Sequence, residues 1–138
     1  MDTLYLAAIC ATVPGLGRSR IPELIKALGS ARAVFEAEAA TLTATGLCTP
    51  KAVHNFLANR DARMPQKIDY FCRHYGVELL AYTDASYPQS LQNLSDKPLV
   101  LYIKGKLPEA PYALAIVGSR RCTEYGVRAA AYFAQAMT

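Results

Sequence analysis

The sequence predicts an α/β chain in two parts: short helices first, then the opening strands and helix of a parallel sheet. Two observations carry this. Up to Gly76 the apolar residues recur at helical spacing between Gly and Pro breaks, and from Val77 onward short β-prone runs alternate with turn residues. The division is expected near residue 64, giving parts 1–64 and 65–138. Of the 138 residues 52% are apolar, enough to bury a real core.

The first helix is expected over residues 4–11 and is ended by VPGLG at 13–17. A second follows over 21–28. Pro22 suits its first turn, and Gly29 stands where a helix C-terminus calls for a residue tolerant of positive φ. Ser30 can cap a third helix carrying Val34 and Phe35. LTATGLC reads as a connection. Thr49-Pro50 is an N-cap followed by a first-turn proline, opening a helix to about Arg63 with Val53, Phe56 and Leu57 on one face. The next helix starts at Pro65 and closes at Gly76. Its Ile68, Phe71, Cys72 and Tyr75 at i, i+3, i+4 and i+7 mark the clearest amphipathic face in the chain.

The runs VELLAY from Val77, LVLYIKG at 99–105 and YALAIVG at 112–118 read as strands. ALAIV is apolar without alternation, as in a parallel strand covered on both faces, and TEYGVRAAAYFAQAM after it is helical in composition. A doubly wound sheet needs about five or six strands. Three are present, so the sheet reads as incomplete and the chain as a fragment of a longer one.

Net charge is +4, from 7 basic and 5 acidic residues in 1–64 and 8 basic and 6 acidic in 65–138. So even a spread permits nucleic-acid binding without arguing for it, because an electrostatic footprint needs a cluster. No stretch reaches the roughly 18 apolar residues of a membrane span, and Asp2 stands where a signal peptide carries positive charge. A cytoplasmic protein with no membrane association is expected. Cys10, Cys48, Cys72 and Cys122 form no CxxC pair and read as reduced, buried thiols. His54 and His74 fall in different helices without ligands at metal spacing, so no metal site is expected.

The chemistry concentrates in LAIVGSRRCTEYG at 114–126, a strand-to-helix turn suited to an anion. Gly118 permits a sharp turn and close approach of a ligand, and Ser119 adds a hydroxyl donor. Arg120 and Arg121 offer guanidinium forks for phosphate oxygens. Thr123 can cap the following helix, whose free N–H groups attract an anion. The bland alternative is that Gly118 merely turns the chain and both arginines pair with surface carboxylates. Neither GxGxxG nor GK[ST] is present, which argues against a nucleotide cofactor. Cys122 reads as a small residue rather than a reactive thiol.

A second turn carries a weaker signal. Gly15 and Gly17 in VPGLG, followed by Arg18 and Arg20, suit a hairpin whose backbone N–H groups meet a phosphate without reading sequence, although Gly-Leu-Gly is also an ordinary interhelical turn. Tyr82, Tyr87 and Tyr102 can in principle stack on bases. Their places in turns and strands favour packing.

The succession of Tyr87, Pro88 and Leu91, then KPLVLYIKGKL at 97–107, then AIVGSRRCTEYG at 115–126 resembles the DprA/Smf DNA-processing family in order and spacing. VPGLGRSRIPELIKALGSARAVFEA near the N-terminus is similar to the SAM-like, helix-hairpin-helix-like module that precedes that family's Rossmann-like domain. The resemblance implies such a helical module over 1–64 and the N-terminal part of an extended Rossmann-like domain over 65–138. It also implies a non-enzymatic recombination mediator of natural transformation that binds single-stranded DNA and loads RecA onto it, with no cofactor and a homodimer in the complete protein. Carried over to this chain, the family's basic pocket includes Gly118, Ser119 and Arg120, with Arg121 and Thr123 in support. The family's later segments, similar to SGxAxGID and FPxRNR, would lie beyond Thr138. The alternative is a Rossmann-like enzyme acting on a nucleotide or nucleoside monophosphate, such as a phosphoribohydrolase, whose PGGxGTxxE motif would also lie beyond Thr138.

Overall fold

A computed structural model describes residues 2–107 and 114–137. They fall into two compact units, residues 1–107 and 108–138.

The first unit starts with α1 (Asp2–Ala11), whose Leu6, Ala7, Ala8 and Ile9 are all buried. Consecutive burial means the helix is wrapped on several sides rather than along one stripe. Thr12, the buried polar residue beyond it, donates its hydroxyl to the Ala8 carbonyl at 2.9 Å. A 3-10 turn (Arg18–Arg20) leads into α2 (Ile21–Leu28), which stops at Gly29 with φ of 90°. That left-handed geometry is open to glycine at low cost. The Ser30 hydroxyl then accepts from the Ala33 N–H at 3.0 Å to cap α3 (Ala31–Glu36). These bounds are close to those expected.

Between α3 and the Thr49 cap the expected connection contains a short helix, α4 (Ala39–Ala44), which turns Leu42 fully into the core. It has no side-chain cap, so the sequence carried no start signal for it. Thr49 caps α5 (Pro50–Asn59) by accepting from the Ala52 N–H at 3.2 Å. Val53 and Phe56 are buried and Leu57 is half-buried, as their spacing requires. The helix ends at Asn59 rather than about Arg63, because Arg60 turns extended and spends its guanidinium on the carbonyls of Phe35 and Ala37. Those carbonyls lie at and just beyond the end of α3, where a helix leaves acceptors unpaired.

In α6 (Met64–Tyr75) the buried face is Pro65, Ile68 and Cys72. Phe71 and Tyr75, expected on it, are 46% and 52% exposed and pack on each other instead, with ring centroids 4.8 Å apart. Gly76, at φ of 62°, ends the helix as expected and turns the chain directly into β1 (Val77–Ala81).

The link beyond β1 holds only the single-turn helix α7 (Gln89–Gln92) before β2 (Val100–Lys104). A parallel pair needs a longer crossover that covers one face of the sheet, and this link cannot supply it. β1 and β2 accordingly pair antiparallel, from Val77 opposite Lys104 to Ala81 opposite Val100, where strands of a parallel sheet were expected. Tyr87 locks the link by donating its hydroxyl to the Pro98 carbonyl at 2.7 Å. Ala81 and Leu99 belong to the same buried cluster as α1, α2, α3, α5 and α6, and both strands pack on α1. The expected boundary at residue 64 falls inside this continuous core.

In the second unit the described residues comprise an irregular stretch, 114–123, and α8 (Glu124–Ala136). The expected third strand, 112–118, begins at Tyr112 and Ala113, which lie outside the described residues. Residues 114–118 are not a strand, and Val117 is 89% exposed. A strand exists through the hydrogen bonds of a neighbour, and no other strand is described in this unit. Among the described residues no helix is long and apolar enough to cross a membrane.

Candidate functional site

The turn at 118–123 retains part of the expected chemistry. Thr123 caps α8, its hydroxyl oxygen accepting from the Gly126 N–H at 3.2 Å, and Ser119 stabilises the turn by accepting from the Arg121 N–H at 3.2 Å. With their oxygens used as acceptors, both hydroxyl protons remain available to an anion. Arg120 and Arg121 are exposed, and among the described residues neither pairs with a carboxylate.

Gly118 and Glu124 both bear on this turn. Gly118 has no positive φ, and a Cβ built on it meets nothing within 4 Å, so neither backbone strain nor crowding requires glycine in this conformation. Glu124 places a carboxylate in the first turn of α8, where it competes with a bound anion for the positive end of the helix.

The VPGLG turn sits between α1 and α2. A Cβ on Gly15 would come within 2.5 Å of the Thr12 carbonyl oxygen, and Gly17 adopts φ of 87°. Both glycines are thus required by the turn itself. Its two arginines part company. Arg20 reaches across the helical layer to donate to the Leu47 carbonyl, a packing role, whereas Arg18 extends toward the link and donates to the Asp96 carbonyl at 3.5 Å.

Of the tyrosines proposed for stacking, Tyr87 is buried and Tyr82 half-buried, but Tyr102 is 49% exposed on β2. Burial pushes the Tyr87 hydroxyl pKa up, in keeping with its role as a neutral donor. The histidines are surface residues. His74 stacks on Tyr70 at 5.7 Å, and no group of side chains suited to a metal occurs among the described residues. All four thiols are free, yet only Cys48 and Cys72 are buried, whereas Cys10 and Cys122, expected inside, are exposed. Burial raises the pKa of Cys48 and Cys72, opposed at Cys48 by Arg20 and reinforced at Cys72 by Asp69.

Sequence reasoning missed Lys97. Half-buried, it points its ammonium at the end of α7 and donates to the Gln92 carbonyl at 2.9 Å and to Gln92 Oε1 at 3.1 Å. Only the fold of the link brings it to the side of the molecule where Arg18 lies.

Compared with known families, residues 78–138 match the one described as DNA recombination-mediator protein A. The matched segment takes in β1 but for Val77, the link, β2, the arginine turn and α8. No curated protein and no solved structure matches the chain.

Proposed function

Residues 78–138 match the DNA recombination-mediator protein A family, and on that premise we propose that the chain belongs to it and serves DNA recombination by binding single-stranded DNA and loading RecA onto it. The observation that carries this reading is the pair Arg120 and Arg121, exposed and without carboxylate partners among the described residues, inside the matched segment. Guanidinium forks beside a capped helix N-terminus suit phosphate oxygens and ignore base identity. Ser119 and Thr123 contribute hydroxyl protons, and the backbone at Gly118 is uncrowded. The role is non-enzymatic, without cofactor or metal, in the cytoplasm.

The finer architecture belongs to the same proposal. Residues 114–118 take their place in a strand of a Rossmann-like parallel sheet once neighbouring strands supply hydrogen-bond partners, and the complete protein works as a homodimer. The apolar, exposed Leu114, Ile116 and Val117 support that reading, because such a run is stable only when covered.

The test is salt-dependent binding of the complete protein to single-stranded oligonucleotides of different sequence. Arg120→Ala should weaken all of them alike and reduce the slope of log affinity against log salt by about 0.7, one single-strand phosphate contact. Unchanged affinity and slope would remove Arg120 from the interface.

A further inference from the structure

We propose that the first unit carries a second anion site, a nucleotide-sized cleft between the start of α2 and the end of the link, which takes a nucleoside phosphate. The cleft has a volume of about 490 Å³. That lies within the range of roughly 300–1,000 Å³ in which small-molecule sites fall. Its cations come from segments 79 positions apart in the chain, Arg18 and Lys97.

The polar partners of both cations are neutral oxygens. Arg18 uses one N–H on the Asp96 carbonyl, and Lys97 uses two of its three on Gln92. Neither is within ion-pair distance of a carboxylate among the described residues, so both charges are available. Holding Lys97 in place before a ligand arrives removes part of the ordering cost of binding. Ser19 and Ser95 add hydroxyls at the rim.

One wall is apolar. Pro22, with the largely buried Leu99 behind it, gives an apolar wall against which a base or sugar can rest while its phosphate meets the cations. Cations beside an apolar wall suit a nucleoside phosphate better than a bare inorganic anion, which would leave that wall unused. Asp96 also lines the cleft, and its carboxylate opposes the ligand. The balance of two cations against one anion leaves a net positive site, and it gives the test a variant that should bind more tightly.

The phosphate can come from a free nucleotide or from one unit of a single-stranded chain. For the second source the inference rests on the function proposed above. For the first it stands alone.

The experiment follows backbone amide shifts of the full chain on titration with deoxythymidine monophosphate and, separately, with a short oligodeoxythymidine. At least one probe should shift residues 18–22 and 95–99 together. Arg18→Ala and Lys97→Ala should each weaken that response about fivefold or more, and Asp96→Asn should strengthen it about two- to threefold, a gain that a misfolded variant cannot give. A response to both probes identifies a site for free nucleotide, and a response to the oligonucleotide alone identifies a site for a strand. Arg120→Ala should leave the response of the cleft to the monophosphate intact, so failure of the arginine turn and failure of the cleft are read separately. Millimolar probe without shifts at 18–22 and 95–99, or shifts indifferent to all three cleft variants, would overturn the proposal.

Discussion

Asp2 shows what one side chain does beyond its local sequence. As an acidic residue in the first turn of α1 it suits the dipole of that helix, and the sequence says no more. In the fold its carboxylate also accepts from the N–H groups of Ala31 and Arg32 at 3.1 and 3.0 Å, so it joins Ser30 in capping α3. Asp2→Ala should therefore cost about 1 kcal/mol, the ordinary value of a lost N-cap, in urea denaturation. Asp2→Asn, which keeps one acceptor oxygen, should cost less, and equal losses for the two would argue against the cap. The caps at Ser30, Thr49 and Thr123 were legible because each serves its own helix within three residues. A cap delivered from 29 residues away was not.

Among the elements, α6 separates periodicity from burial. Its apolar spacing fits Ile68, Phe71, Cys72 and Tyr75 equally well, but the layer formed by α1 and β1 covers only the side carrying Ile68 and Cys72. Ile68→Ala should then lower stability by about 2–4 kcal/mol through cavity formation, whereas Phe71→Ser should stay within about 0.5 kcal/mol. Thermal unfolding of the two variants distinguishes the faces, and equal losses would show Phe71 to be buried in solution. The exposed face is a run of rings, Tyr70, Phe71, His74 and Tyr75, each touching a neighbour on the same helix. Helical periodicity reports which residues share a side. How much of that side is covered depends on what packs there.

At the scale of the whole molecule, the strands β1 and β2 close the core of the helical layer instead of opening a separate sheet. Limited trypsin digestion should accordingly cut early at the exposed Arg120 and Arg121 and leave a resistant fragment that includes β2 and ends near Lys106. A fragment ending near Arg63 would mean that the ribbon does not share the core. Mass spectrometry of the resistant fragment decides between them.

The sequence by itself determined the helix bounds around Gly29, Thr49 and Gly76, the two β-prone runs, and the arginine turn with its Thr123 cap. These depend on φ restrictions, caps and side-chain chemistry within a few residues, which are local properties. It also carried the resemblance that the family match over residues 78–138 bears out. Only the tertiary structure decided that the strands pair antiparallel, that residues 114–118 remain irregular, that Arg20 packs while Arg18 reaches the link, and that Lys97 lines the same cleft. Each of these depends on a partner distant in the chain, and chain order does not state which distant groups will meet.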